Sequence, residues 1–320
     1  MFQNIASAKY NAHVVGKVGV STNARDEANI LEWIAFHLVV GFDHIVVVDH
    51  LSERPIAQLL KPCFADRITV IRFSERTQNG SKKHMVENIC VPEMKRLGVE
   101  WMIHLDADEY FNPCLPGRKV QDFLSAFGPE VHQIRLNWML FGSSFHNDQP
   151  EGLVLENFTL CAGVADPHVK CFFRVSSFQA LWNPHVVLLK HAESDTVKTV
   201  NVFNQQCNDH LCCFEDTTKH HFSTFPCLIN HYYVQSYKTY RNRKTRYPRD
   251  DCGFFRPVAT AMTVHHGTFV DLAQDKGSDV QWFKTNFQRF PEKTNVYLWE
   301  FLKVHFSQNT RDMMARIRSV

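Results

Sequence analysis

The chain lacks any run approaching the ~18 uninterrupted apolar residues that a membrane-spanning helix needs. Its opening residues, MFQNIASAKYNAHVVGK, carry no charged segment followed by an apolar stretch of about 7–15 residues, so they do not read as a secretory leader. Charge of one sign is equally scarce: 35 Lys and Arg face 33 Asp and Glu, a net charge of +2. That balance argues against a protein whose main task is to coat nucleic acid or an acidic bilayer. There is no internal repeat, low-complexity tract or Gly/Ser linker. These absences predict a cytoplasmic protein with no integral membrane segment. Peripheral contact with a membrane stays open.

What is present is apolar bulk. Hydrophobic residues make up 44% of 320 positions, enough to bury a core, and 26 Phe promise that this core is aromatic. The 18 His and 10 Cys raise the question of zinc or disulfides. Without a secretory leader, cysteines scattered among apolar neighbours read as buried thiols. The densest stretch is CNDHLCCFEDTTKHH, with Cys207, His210, Cys212, Cys213, His220 and His221. It lacks a clean C-x-x-C, and adjacent cysteines ligate one ion poorly, so a structural zinc there is a minor reading.

Strand and helix signals alternate through the first 140 residues. Val14–Val20 is a β-branched run. Asn23 is placed to cap a helix with Asp26 and Glu27 in its first turn; Ile30, Leu31, Ile34 and Leu38 follow at helical spacing, and Gly41 closes the segment. His44–Val48 reads as a buried strand that stops at Asp49, Ile68–Phe73 as a third strand, and Ser81–Leu97 as a helix ended by Gly98. Trp101–Leu105 is a fourth strand, stopping at Asp106. This order predicts an α/β fold with a mostly parallel sheet flanked by helices, whose ligands bind beyond the carboxyl ends of the strands. Further on, Val131–Met139, Cys171–Val175 and Val186–Lys190 read as strands, with a turn-rich loop at Phe141–Gly152. His231 to Arg246 has helical spacing in Tyr233, Tyr237, Tyr240 and Lys244, and Asn295–Ile317 reads as one or two surface helices.

The sharpest local feature is HLDADEY, residues 104–110. Asp106 and Asp108 follow a buried strand directly. Two carboxylates this close repel one another and gain most when a hard divalent cation lies between them. Mg²⁺ or Mn²⁺ held by one or two carboxylates completes its shell with phosphate oxygens, so the pattern suggests a metal–diphosphate site. The bland alternative is an acidic surface turn.

Six blocks resemble glycosyltransferases of the GT-A fold, in the family 2-like group and the related family 92. They are NARDEANILEWIAFHLVVGFDHIVVVDHLS (Asn23–Ser52), WMIHLDADEYFNP (Trp101–Pro113), LNWMLFGSSFHNDQPEGLVLENF (Leu136–Phe158), KCFFRVSSF (Lys170–Phe178), NPHVV (Asn183–Val187) and INHYYVQSYKTYRNRKTR (Ile229–Arg246). They cover residues 20 to about 250 in the family's order. The resemblance implies a GT-A domain over residues 1–270 with a helical C-terminal extension over 271–320. It implies a metal-dependent, inverting hexosyltransferase that moves a sugar from a nucleotide-sugar, UDP-linked by preference, to a glycan or glycolipid acceptor. A cytosolic form of bacterial or viral type, serving surface-glycan assembly, is the setting it suggests.

The same resemblance assigns roles. Asp106, Asp108 and His231 would hold Mn²⁺ or Mg²⁺. Arg25, Glu27 and Asp49 would contact the nucleotide, although His50 replaces the family's usual Asn. Lys244 and Arg246, within a cationic run that also includes Lys238, Arg241, Arg243 and Arg249, would face the diphosphate. Asp148, Glu151 and Asp166 lie in or near the acceptor-side loop and are the candidates for the general base that an inverting transferase needs to take the acceptor's proton; Glu151 matches the family's P-E-G most directly, and a structural role capping a turn is its alternative. Trp138 and Phe141 are candidates for a sugar platform or for core. Two other classes remain: a non-catalytic nucleotide- or glycan-binding protein on the same fold, and a nucleic-acid binder using Tyr233–Arg249. The intact acidic pair argues against the first, and the small net charge against the second.

Overall fold

The computed structural model describes residues 14–60, 66–74, 81–114, 119–162, 164–207, 209, 212, 215–216, 220–236, 238–239 and 274–275. Four parallel strands build one half of a nine-stranded sheet: β1 (Lys17–Ala24), β2 (His44–His50), β3 (Ile68–Phe73) and β4 (Val99–His104), in the spatial order β3-β2-β1-β4. The other half adds β5 (Glu109–Pro113), β6 (Val131–Leu140), β8 (Asp166–Arg174), β11 (Lys198–Asn201) and β12 (Cys227–His231). The order continues from β4 as β8-β6-β12-β5, with β11 also on β6. Five of the eight pairings in this sheet are parallel, and β8 runs antiparallel to both its neighbours. The architecture is a mixed, Rossmann-like α/β fold, as the alternating signals predict. Outside the sheet lie β7 (Leu160–Cys161), the hairpin of β9 (Phe178–Leu181) and β10 (Val187–Leu189), and β13 (Gln274–Asp275), which pairs with β7.

Both faces of β2 are covered, and the sequence HIVVVDH shows why. Side chains alternate across a strand. Ile45 and Val47 enter a core shared with helices α1 (Ile30–Val40), α2 (Ile56–Leu59) and α5 (Val120–Leu124). Val46 and Val48 enter the opposite core, beneath helices α3 (Ser81–Met85) and α4 (Val91–Arg96), which are joined by a π-helical turn at Val86–Cys90. A strand buried on both sides needs a continuous apolar run. Helix α1 is buried almost all round and closes at Gly41, whose φ of 109° suits glycine; its N–H reaches the carbonyls of His37 and Leu38. The first core is aromatic as the composition promises. Phe42, Phe111, Phe123 and Phe172 are fully buried, and the Phe111 ring lies 5.3 Å from Phe172 and 5.6 Å from Phe42. Cys90, Cys171, Cys207 and Cys227 are buried free thiols.

Three expectations need correction. Asn23 does not cap a helix: β1 continues through it to Ala24, and α1 starts at Ile30 after a turn in which Asp26 has φ of 51°. The acid of the first helical turn is Glu32. His231 is the last residue of β12, not the start of a helix, because Cys227–His231 is wholly buried between β5 and β6. β5 begins at Glu109, the last acid of HLDADEY. The helical readings over 241–246 and 295–317 lie outside the described residues, as does all of 271–320 except 274–275.

α1 is pinned to β5 by two polar contacts in the core. The Trp33 indole donates to the Glu109 carbonyl at 2.7 Å, and His37 Nδ1 donates to the Trp33 carbonyl at 2.8 Å. His37 Nε2 then accepts from the Phe111 N–H at 3.2 Å. Both ring nitrogens are satisfied only in the neutral form, and burial lowers the His37 pKa to about 3. The unfolded chain takes up this proton near pH 6.5 and the folded chain does not. Stability is therefore lost as pH falls from about 6.5 towards 3, by up to about 1.4 kcal/mol per unit from this residue. Denaturant titrations across that window should show the loss, with a shallower dependence in His37→Gln.

Candidate functional site at the carboxyl end of β4

β4 ends at His104, and Leu105–Asp108 turn the chain into β5. The turn is held from three sides. The Leu105 N–H donates to the Ser21 carbonyl, the Asp106 N–H to Glu109 Oε2 at 2.9 Å, and the Tyr232 N–H to the Asp108 carbonyl at 2.8 Å. β1, β5 and the segment after β12 thus all fix the position of the acidic pair.

Beneath the turn lies a buried cation. Lys170 projects from β8 with its side chain 1% exposed, and its Nζ is 3.2 Å from both Asp106 Oδ2 and Glu109 Oε2. Lys82, from α3, contacts the other Asp106 oxygen. Burial pushes the Asp106 carboxyl upward, but the Lys170 and Lys82 ammonium groups outweigh it and hold Asp106 well below the usual carboxylate range. Lys170 is held above the usual lysine value, since Asp106 and Glu109 overcome the effect of its burial. Burial drives Glu109 upward against the pull of Lys170.

Asp108 points elsewhere. Its Oδ1 lies 3.6 Å from Nε2 of His231, at the end of β12, and both residues are buried. The remaining ring nitrogen of His231, Nδ1, is buried without a hydrogen-bond partner. The His231 ring meets Trp138 of β6 at 4.4 Å, and Trp138 also packs on His168 at 5.0 Å and His185 at 5.2 Å. Among the described residues no three His, Cys, Asp or Glu side chains are grouped to hold a metal ion by themselves. Asp108 and His231 nevertheless form a converging oxygen–nitrogen pair, which suits a divalent cation whose shell is completed by phosphate oxygens and water. Asp106, expected as a second ligand, has both oxygens on lysine ammonium groups.

The other expected residues divide. Arg25 and Glu27 lie half-buried in the loop after β1, which is tied to the loop after β2: the Asp26 N–H donates to Ser52 Oγ, and the Glu53 N–H to Asp26 Oδ1 at 2.6 Å. Asp49 is buried below that second loop. It accepts from the Ser52 N–H at 3.1 Å, the Ile56 N–H at 2.9 Å and Arg72 at 2.7 Å. Burial pushes its carboxyl up, and the Ser52 side chain together with these donors brings it below the usual value. A carboxylate has about four acceptor positions, so Asp49 is largely committed to building the loop.

Asp148 and Glu151 are exposed, and among the described residues no hydrogen bond or ion pair joins either to Asp106, Asp108 or His231. Asp148 pairs with Lys238 at 3.1 Å, and Glu151 offers its main-chain carbonyl to Asn157. Lys244 and Arg246 lie outside the described residues, as do Arg241, Arg243 and Arg249. In the Cys/His stretch, the His220 ring stacks on Phe203 at 3.9 Å, and the Cys207 thiol donates to Glu215 Oε2 at 3.4 Å.

Sequence reasoning missed Lys82, Lys170, Glu109 and Glu32 as parts of this end of the sheet. Glu32 accepts from the N–H groups of Val154 and Leu155 at 2.8 and 3.0 Å, bracing the start of helix α6 (Val154–Asn157) against α1. Burial raises its pKa to about 8 despite those two donors. A usable signal existed for Lys170: it interrupts the apolar run of a central strand, and a lysine there requires a carboxylate partner.

No protein-family model matches the chain, and no curated protein matches it. Solved structures that match the chain in part include a cytidylyltransferase from Leptospira borgpetersenii serovar Hardjo-bovis, at 10% identity over 79% of this chain and 96% of that one, with a TM-score of 0.31. A 4-diphosphocytidyl-2C-methyl-D-erythritol synthase is 14% identical over 62% of this chain and 91% of its own, at 0.31. A glycosyltransferase involved in glycosylation of the major capsid of PBCV-1 is 11% identical over 51% of this chain and 61% of its own, at 0.24. Two of the three names describe transferases and the third a synthase. At TM-scores this low they carry no argument about the chemistry of this chain, and the Rossmann-like assignment stands on the strand order. No helix among the described residues is long and apolar enough to cross a membrane.

The ionic core makes a contrast between its two lysines testable. Lys170→Met leaves Asp106 and Glu109 without their buried cation and should cost about 3–5 kcal/mol in denaturant unfolding. Lys82→Met, at the partly exposed end of the same cluster, should cost no more than about 1 kcal/mol.

Proposed function

We propose that the chain is a glycosyltransferase of the GT-A type, which transfers a sugar from a nucleotide-diphosphate sugar, UDP-linked by preference, to a glycan or lipid-linked acceptor with inversion. The observation that carries this reading is the convergence of Asp108 and His231 at the carboxyl end of β4, beside an Asp106 locked in its ionised form. Ligands of open α/β sheets bind at such strand ends.

In this reading Asp108 and His231 would hold Mn²⁺ or Mg²⁺. The cation, when bound, supplies Lewis-acid stabilisation of the departing diphosphate. Lys170 and Glu109 keep the turn rigid, so that Asp108 needs no reorganisation as charge develops. Lys82, from the opposite side and partly exposed, adds a positive charge at the rim. Arg25 and Glu27, in the loop beside Ser52, lie where the nucleotide would be contacted, and Asp49 shapes that wall through the N–H groups it binds. The acceptor oxygen forms its bond to the anomeric carbon as the bond from that carbon to the diphosphate oxygen breaks, and the electron pair leaves with the nucleotide.

The reading is tested by binding and turnover together. UDP with Mn²⁺ should raise the melting temperature of the purified chain; at 100 times its dissociation constant a ligand adds about 2.7 kcal/mol. UDP release from a panel of UDP- and GDP-sugars should require the divalent ion and fall at least a hundredfold in Asp108→Asn. Full turnover in that variant, or no release from any donor by the wild type, would sink the proposal.

A further inference from the structure

The turn between β9 and β10 holds Trp182 out in solvent, at 51% exposure, close to the ionic centre. Two separate sets of contacts fix its place. On one side, the preceding residue, Leu181, is pinned to α3 and to the π-helical turn after it. The Lys83 ammonium donates to the Leu181 carbonyl at 2.5 Å, and the Leu181 N–H donates to Glu87 Oε1 at 2.7 Å. Lys82, the neighbour of that lysine, holds Asp106. On the other side, His185 ends the turn. Its ring packs on Trp138 at 5.2 Å, and Trp138 packs on His231 at 4.4 Å. Burial lowers the His185 pKa to about 4, with Lys170 adding to the effect and Asp106 opposing it, so this ring lies within reach of the ionic cluster. Trp182 therefore stands at the rim of the site, between the cluster that fixes Asp106 and the ring stack that leads to His231.

The turn beneath the indole is closed tightly. Asn183 Oδ1 accepts the N–H groups of His185 at 2.8 Å and Val186 at 3.0 Å, and the Trp182 N–H donates to the Val186 carbonyl at 3.2 Å. Pro184 locks a further backbone angle. A surface built in advance loses little freedom when a ligand arrives. The surroundings say which ligand suits it. Leu181, Val186 and Val187 are buried, whereas Lys83 and Lys190 are exposed. Among the described residues, then, the chain neighbours of the indole give it no continuous apolar patch, which a lipid surface or a protein partner needs. One flat apolar face with an N–H donor at its edge matches a pyranose, which has C–H groups on a face and hydroxyls around its rim.

We propose that Trp182 is the platform on which a pyranose ring of the acceptor lies, and so a residue that sets acceptor specificity. This rests on the glycosyltransferase reading. That reading assigns the diphosphate of the donor to Asp108 and His231. The Trp138 and His185 rings stand between His231 and the turn that carries Trp182, so the sugar that meets this indole is that of the second substrate. The indole takes no part in bond making; it holds the acceptor ring at the mouth of the site.

The test is read first on the wild-type chain. N-bromosuccinimide oxidises exposed indoles, and peptide mass spectrometry follows Trp182 separately from the other tryptophans. With UDP and Mn²⁺ present, at least one of the methyl pyranosides of glucose, galactose, mannose and N-acetylglucosamine should slow oxidation of Trp182 severalfold, in a concentration-dependent way. UDP and Mn²⁺ without a glycoside should leave its rate unchanged. UDP release is then followed with whichever of UDP-glucose, UDP-galactose and UDP-N-acetylglucosamine the wild type consumes. Trp182→Ala should raise the KM for the protecting glycoside about tenfold, the worth of one good aromatic contact. UDP release to water, and the rise in melting temperature with UDP and Mn²⁺, should match the wild type. Trp182→Tyr should retain most of the acceptor affinity, and Trp182→Leu, apolar but not flat, should resemble the alanine variant. Four outcomes overturn the assignment while the donor reading stands: protection by none of the glycosides, protection by UDP and Mn²⁺ alone, protection by a glycoside that accepts no sugar, or an acceptor KM within twofold of wild type in Trp182→Ala. The protection result holds even where a variant does not fold. If UDP with Mn²⁺ leaves the melting temperature unmoved and no donor is consumed, the broader reading fails and this one falls with it.

Discussion

A lysine ammonium in a dry interior is costly unless carboxylates surround it, and Lys170 meets that condition with two. The functional end of this sheet depends on that constraint. Turning Asp106 outward would leave the buried cation with only one of its two carboxylates, and Glu109 is tied both to Lys170 and to the main chain of Asp106. The turn between β4 and β5 is thus held by charge as well as by its main-chain hydrogen bonds. With Asp106 committed inward, Asp108 is the acid left to face β12 and His231. An apparently symmetrical pair of aspartates becomes two residues with different work.

The same economy recurs in the loops around the site. Asp49 gathers the N–H groups of Ser52 and Ile56, and Glu32 gathers those of Val154 and Leu155. Main-chain donors without regular partners need acceptors, and a buried carboxylate serves two of them at once. The loops after β2 and β6 are consequently built on acids from the rigid elements beneath them. Several acids that stand out in the sequence are structural for this reason, while the exposed Asp148 and Glu151 are remote from the ionic core in their contacts.

Much of the fold was legible because its signals are local. The β-branched run of β2, the helical spacing of α1 ending in Gly41, and the apolar strand running into HLDADEY each depend on near neighbours. Errors fell where neighbours mislead. Asn23 has the chemistry of a helix cap, but β1 is paired on both sides through Ser21 and extends past it. The tyrosine spacing after His231 suggests a helix, but Cys227–His231 fills a gap between β5 and β6 and is extended by that pairing. At the site, Asp106, Asp108 and His231 stood out because of their motif context.

The sequence by itself determined the α/β alternation, the position of the acidic turn at a strand end and the absence of a long apolar helix among the described residues. These follow from periodicity and composition, which act over a few residues. Only the tertiary structure decided what each acid does. Asp106 and Asp108 differ by one position in the chain, yet one is clamped by Lys82 and Lys170, 24 and 64 residues away, and the other faces His231 from a distant strand. Ionisation and ligand choice depend on charges within a few ångströms, and the sheet, not the chain order, chooses those neighbours.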